Sequence, residues 1–272
     1  MKLLRNVILF SVLLTGCSEV PVILPVNTPD SVNVVSQNVL VEEYTGVRCQ
    51  NCPAGARLLD DLKSIHGNRL IILSIHGGFF AQPANLENKL KLDNSFGQQL
   101  INVFNQPQGY PSAMVDRKIF DGQSSWFLGG GFWAGFISLE KSRSPQTGLE
   151  IKNTLDTMTR MLRSEVSVTG LIDLRAEPLL LSVAMTENNI KDAQLTPTGI
   201  DTNYIHQHVM RTFMTNVFGN ALEPVTLNQT KVYAFNFLVP VDWDWRQLDI
   251  IAFVHKPGPD YRVIQAIEKK LL

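Results

Sequence analysis

Residues 38–76 confine this chain to few folds. An apolar strand, a Cys-x-x-Cys pair, a helix and a second apolar strand follow one another there without a break. Val39, Leu40 and Val41 read as the first strand, and Cys49 and Cys52 follow a short turn. Pro53 suits the first turn of a helix, where a missing N–H leaves nothing unsatisfied. Leu58, Leu59, Leu62 and Ile65 recur at helical spacing as an inward stripe, and Gly67 is a natural terminator. Leu70 to Ile75 is a nearly continuous apolar run, as in a strand buried on both faces of a parallel sheet. The segment predicts a βαβ unit with both cysteines at the head of its helix.

The spacing of the cysteines bears on their use. A disulfide stabilises mainly by closing a loop in the unfolded chain, and a four-residue loop returns only about 2 kcal/mol. Two thiols at this spacing can instead work in sequence, one attacking a substrate disulfide and the other resolving it. Cys49, the outer residue, is the expected nucleophile, and Cys52, one turn inside, the resolving partner. A helix N-terminus favours an anion, and Arg48 and Arg57 would add to that effect on the thiol. A permanently oxidised, inert Cys49–Cys52 bond in a binding protein is the alternative. Zinc needs four ligands, and His66 and His76 lack the spacing to complete a site with two sulfurs, so no metal is expected.

The N-terminus points to export. Met1-Lys2-Leu3-Leu4-Arg5 is short and basic, Val7 to Leu14 is apolar but too short to span a bilayer, and Leu14-Thr15-Gly16-Cys17 resembles a lipobox. Residues 1–16 are thus expected to be a lipoprotein signal peptide, with lipid on Cys17 as the membrane attachment. With Cys17 acylated, Cys49 and Cys52 remain as one pair outside the cytoplasm. Residues 17–37, with Pro21, Pro25 and Pro29 and no apolar register, read as a lipidated tether. Asp30-Ser31-Val32 within it resembles an O-glycosylation triplet, or is plain polar linker. Cleavage before Cys17 leaves 256 of the 272 residues, enough for one large or two ordinary domains. Lys2 and Arg5 leave with the signal, so 22 basic residues face 25 acidic ones, a net of −3 that does not suit a nucleic-acid surface. Trp126 to Ile137, glycine-rich and about twelve residues long, falls short of the roughly 20 that a membrane helix needs.

A second helix is expected over residues 94–104, a strand over Ala113 to Val115, a turn at Asp116-Arg117, a short strand near Ile119, and a closing helix carrying Trp133, Phe136, Ile137 and Glu140. After residue 146 the texture changes. Gly148–Leu155, Arg163–Leu174, Leu179–Thr186, Val232–Val239, Leu248–Val254 and Arg262–Glu268 read as strands punctuated by turn residues, which predicts an all-β sandwich. The ambiguous stretch 204–218 tilts towards strand.

Taken together, Val41-Glu42-Glu43-Tyr44-Thr45-Gly46-Val47-Arg48-Cys49-Gln50-Asn51-Cys52-Pro53, Gly109-Tyr110-Pro111 with Arg117 shortly after, the segment His206 to Phe218, and the ending Ile250-Ile251-Ala252-Phe253-Val254 with Ile264-Gln265-Ala266 resemble the outer-membrane-protein-28-related lipoproteins of Bacteroidetes. The resemblance covers nearly all of the mature chain. It implies an α/β plus all-β architecture: a thioredoxin-like domain over residues 38–146, then an immunoglobulin-like β-sandwich over 147–272, held at the outer membrane. It also implies a cis-proline at Pro111, against the disulfide, as thioredoxin-like folds keep one; a trans proline opening the strand is the plainer reading. Cys49, Cys52 and Pro111 are then the catalytic candidates, with Tyr110 and Arg48 shaping the substrate groove. Thioredoxins usually have Trp before the first cysteine and Gly-Pro between the two, where this chain has Arg48 and Gln50-Asn51.

Two functions follow as expectations: thiol–disulfide exchange on exported proteins or with a partner redox domain, or surface binding and scaffolding with a structural disulfide. No cofactor is expected, and the sequence leaves a homo-oligomer open. His206 and His208 would share a strand face, as metal ligands or as hydrogen-bonded structural groups. Asp242-Trp243-Asp244-Trp245 offers indoles for a sugar or for core packing. Asp60 and Asp61 read as solvated helix charge.

Overall fold

The structure is a computed structural model and describes residues 35–83, 92 and 95–272. Cys17, the signal and the Asp30-Ser31-Val32 triplet lie outside these residues. Residues 35–272 form one compact unit of mixed α/β class, mostly strand.

Strand β1 (Val39–Thr45) leads through the cysteine turn into helix α1 (Cys52–His66) and back into β2 (Leu70–His76), which pairs with β1 in parallel. Both strands are buried along their whole length, Glu42 and Glu43 of β1 included. Gly67, at φ +60, ends α1 with its N–H on the Lys63 carbonyl. Helix α2 (Ser95–Phe104), strand β3 (Ser112–Val115), antiparallel to β1, and helix α3 (Gly130–Lys141) complete this half. Two expectations fail here. Ile65 is not part of the inward stripe but 72 % exposed, because it falls beyond the edge of the arc that Leu59 and Leu62 bury. No strand forms at Ile119; Asp116 and Arg117 both take positive φ, which throws the chain off the sheet.

The texture change at residue 147 coincides with the start of β4 (Thr147–Asp156), which pairs with β5 (Met161–Gly170). β6 (Leu180–Glu187), β7 (Ile190–Thr196), β8 (Gly199–His206), β9 (Val209–Phe213), the two-residue β10 (Asn220–Ala221), β11 (Thr230–Leu238), β12 (Leu248–His255) and β13 (Val263–Lys270) follow. β5 ends at Gly170, short of the expected Leu174. The later strands join the sheet of the first half: its order is β13-β12-β6-β9-β2-β1-β3, and the Ser74 N–H donates to the His208 carbonyl at the junction. β11, β5 and β4 make a second sheet, and β7 with β8 a separate hairpin.

The large sheet buries both faces by strict alternation. Leu40, Tyr44, Ile71 and Leu73 share one core with Ile251 and Phe253, capped by Leu100 and Phe104 of α2. On the opposite face, Val39, Val41, Leu70 and Ile72 pack against Leu59, Leu62, Trp133 and Ile137 of α1 and α3. Ile250, Ala252 and Val254 pack there against Leu162, Val166 and Val168 of the second sheet. Residues 35–37, expected as the end of the tether, belong to the fold: the Gln265 side chain donates to the Ser36 carbonyl, and Arg69 donates twice to that of Gln37.

Candidate functional site

Cys49 and Cys52 form a disulfide at the head of α1. The turn that presents it closes through Cys49 N–H to the Gly46 carbonyl (3.0 Å) and Cys52 N–H to the Cys49 carbonyl (3.2 Å), so Cys52 is the first helical residue and Cys49 stands outside. Pro53 occupies the first turn, as its ring requires. The Tyr110–Pro111 peptide is cis. Pro111 packs on α1 at Gly55, where an added Cβ would lie 2.7 Å from two carbons of the proline ring. Gly55→Ala should therefore cost about 1–3 kcal/mol in a urea melt, the penalty of forcing a methyl into a filled contact; an unchanged midpoint would show that the proline can step aside.

The sequence-derived candidates thus meet in one place, but the sulfur pair is not open. Cys49 is 3 % and Cys52 2 % exposed. The β7–β8 hairpin covers them. The Leu195 N–H donates to the Val47 carbonyl at 2.8 Å, and the buried Gln194 amide donates to the carbonyls of Cys49 (3.0 Å) and Gly46 (3.3 Å). Within this hairpin, β7 carries no strand signature in the sequence. Its inward Asp192 and Gln194 are polar, so no apolar alternation marks the strand; Gln194 between Ala193 and Leu195 is the only cue.

The flanks also differ from expectation. Arg48 does not point at the sulfurs: its guanidinium lies 4.7 Å from the Phe79 ring centre and Nη1 donates to Gln82. Tyr110 packs against Phe80 with the rings tilted and their centres 4.8 Å apart, and burial pushes its phenol up to about 12. Arg57 lines a cleft of about 470 Å³ between the head of α1 and the hairpin, with Gln50, Asn51, Thr198, Asp201 and Tyr204.

Beneath the disulfide the apolar face of the sheet turns polar. Glu43 on β1 and Ser74 and His76 on β2 face α1 and meet Cys52, Tyr204 and His206 around a cavity of about 20 Å³. Ser74 Oγ donates to Glu43 Oε2 at 2.8 Å, yet burial raises the Glu43 carboxyl to about 7. Burial pushes His76 down to about 3 and His206 down to about 4, so both rings are neutral at physiological pH. His206 and His208 do not share a face. His206 ends β8, and His208 takes φ +56 in the turn to β9, 4.0 Å from Asp60, so Asp60 is not purely solvated charge. Among the described residues no group of three or more His, Cys, Asp or Glu side chains is placed to hold a metal ion. Neither indole lies on a strand: Trp243 is in a bend, where it stacks on Phe237 and carries Arg211 on its ring, and Trp245 opens a 3-10 turn and lies under Arg246.

The comparisons with known proteins agree with this architecture. Residues 97–271 match the family described as Outer membrane protein Omp28. The chain belongs to the Omp28 family, whose members are lipoproteins of the outer membrane, and no helix among the described residues is long and apolar enough to cross a membrane. HBP35 of Porphyromonas gingivalis shares the fold at TM-score 0.69 and 19 % identity, over 87 % of this chain and 76 % of that one. A protein from Agrobacterium tumefaciens follows at TM-score 0.54 and 10 % identity, over 88 % and 96 %. A domain of the outer membrane lipoprotein Omp28 from Porphyromonas gingivalis aligns over 47 % of this chain and 90 % of its own, at TM-score 0.33 and 16 % identity. No curated protein matches the sequence.

Proposed function

We propose that this outer-membrane lipoprotein is a binding or scaffolding protein, in which a thioredoxin-like module (residues 38–146) and an immunoglobulin-like β part (147–272) act as one body and the Cys49–Cys52 bond is a structural clip. The observation that carries this reading is the cover. Nucleophilic attack needs an approach to a sulfur, and the hairpin that blocks it is bonded to the cysteine turn through three backbone carbonyls. The cleft between α1 and that hairpin, lined by amides, hydroxyls, Arg57 and Asp201, is the place where a polar segment of an exported protein would bind.

The reduction potential tests it. The mature protein, equilibrated with thiol buffers and alkylated, should give a potential below about −300 mV, where structural disulfides lie. A value between about −270 and −120 mV, with glutathione exchange faster than in Cys49→Ser, would overturn the reading. Gln194→Ala should speed reduction by dithiothreitol under native conditions about tenfold, because two hydrogen bonds holding the hairpin down are lost. An unchanged rate would mean that the hairpin is not the barrier.

The second reading is thiol–disulfide exchange with exported proteins or a partner redox domain. It is favoured by the packing of Pro111 against α1 at Gly55 and by Glu43, ionising near neutrality in the cavity that Cys52 lines. In that case the hairpin lifts, a substrate thiolate attacks Cys49 and expels Cys52 as the thiolate, and a second substrate thiolate attacks the substrate sulfur of that mixed disulfide, forming the substrate disulfide and releasing Cys49 as the thiolate, so that the pair ends reduced. A mixed disulfide trapped on Cys49 in Cys52→Ala would establish it.

A further inference from the structure

Helix α3 turns its back on the usual rule for a surface helix. Trp133, Ile137 and Glu140 face inward. Its outward face carries Phe132, Phe136 and Leu139 at i, i+4 and i+7, with Ala134, Gly135 and Ser138 between them and no charged side chain from Gly130 to Leu139. Phe132 is 50 % and Leu139 51 % exposed. The rings are organised: Phe136 lies 3.9 Å from Phe120 and 6.1 Å from Phe132, near parallel to both. Ile119 and Ile65 add exposed apolar surface at the margins; Ile65 adjoins His66, whose Nδ1 lies 2.7 Å from Lys141 Nζ. A contiguous apolar face of this kind marks an interaction site.

The charges around it have a sign. Lys118 sits 4.9 Å from the Phe120 ring centre, and Arg69, Lys141 and Arg143 stand at the C-terminal end of α3. Glu140 is buried and shared by Lys118 (2.7 Å) and Arg143 (2.6 Å), so two cations face one carboxylate and the pair of ion pairs keeps a net positive charge. The position adds the second argument. Arg69 Nη2 donates to both the Gln37 carbonyl (2.8 Å) and the Lys141 carbonyl (2.6 Å), so the folded unit begins where α3 ends. Residues 17–34 lie between that point and Cys17; eighteen residues reach at most about 60 Å. A lipid anchor at that distance holds this face at high effective concentration near the membrane.

We propose that the outward face of α3 docks on the anionic lipid surface of the membrane to which the chain is anchored, Phe132, Phe136 and Leu139 entering the headgroup layer and Lys118, Lys141 and Arg143 meeting lipid phosphates. The lipid anchors the chain, and this face would set how the folded unit lies on the surface.

The test uses the mature chain with Cys17→Ser, which carries no lipid. It should co-sediment with vesicles of phosphatidylethanolamine and phosphatidylglycerol in equal parts and less with phosphatidylcholine alone. Phe132→Ser with Leu139→Ser should lower that partition about tenfold, while Val232→Ser, an exposed apolar residue on β11, should leave it unchanged. A polarity-sensitive dye on Leu139→Cys should shift to the blue with the anionic vesicles. Equal partition of parent and double variant, or no dye shift, overturns the proposal. So does a dimer in sedimentation equilibrium that the double variant abolishes, which would give the face to a second copy of the chain.

Discussion

Exchanging Arg117 for methionine should lower the unfolding free energy by about 3–5 kcal/mol, the loss that follows when one partner of a buried ion pair is removed. Arg117 is wholly buried. Its Nε and Nη2 each donate at 2.7 Å to the two oxygens of Glu42 on β1, a bidentate pair closed to water. Phe104 of α2 and Phe253 of β12 flank the guanidinium, at 5.3 and 4.9 Å from its carbon. The adjacent Asp116 donates its N–H to the Leu40 carbonyl, accepts the Leu40 N–H on Oδ1 and accepts from Val263 N–H on its carbonyl. The turn therefore ties β3 to β1 and β13. Methionine would fill most of the volume but leave the Glu42 carboxylate buried without a partner, and that unpaired charge is the source of the loss. Lysine should not rescue, because a point charge cannot match the two-pronged geometry. Glu42→Leu combined with Arg117→Met should recover much of the stability, since the desolvation of both charges disappears together. Urea denaturation of the two single variants and the double variant decides it; a loss under about 1 kcal/mol for Arg117→Met would mean that water reaches the pair.

Glu43→Gln should act in the opposite direction. The folded-state carboxyl titrates near 7 because burial disfavours its charge, against an ordinary value of 4.5. In the native protein Glu43 is therefore neutral up to about pH 7, whereas the unfolded chain ionises it from about pH 4.5. A group whose folded pKa is raised stabilises fully below the unfolded value and loses that contribution as pH rises through the folded one. The wild-type protein accordingly gives up about 3 kcal/mol between pH 4.5 and 7 through this group, and nothing further above that. Glutamine keeps an acceptor for the Ser74 hydroxyl and never ionises, so the variant should be more stable by roughly that amount at pH 8 and by less than about 1 kcal/mol at pH 5. His76 and His206 respond with the other sign: their folded values are depressed, so their contribution is lost as pH falls from 6.5 towards 3 to 4. Comparing the two proteins at both pH values cancels the histidines. An equal gain at pH 5 and 8 would show that Glu43 is not a buried titrating group.

The elements that sequence reading recovers are those whose signals are local. β1, α1 and β2 follow from an apolar run, a proline at a helix start, a stripe at helical spacing and a terminating glycine, each acting within a turn or a strand. β5 and β11 follow from alternation, because each has one face in a core, and β6 and β12 from apolar runs, because both their faces are buried. β7 escaped because its inward positions are filled by Asp192 and Gln194, which satisfy hydrogen bonds rather than bury apolar area. Stretch 204–218 was legible as strand but not as two strands, since the break rests on one positive φ at His208. Ile65 misled because spacing alone does not say how wide an arc of a helix is covered.

At the site the division is sharper. Local chemistry alone places Cys49 outside and Cys52 inside the head of a helix, since a proline and a helix start position them within five residues. Whether those sulfurs meet solvent was decided by Gln194, which reaches the Cys49 carbonyl from 145 residues away. The charge state of Glu43 was decided in the same manner, by the helix and hairpin that close over it. Exposure and ionisation are set by what lies on the other side of a group, and no neighbour along the chain carries that information.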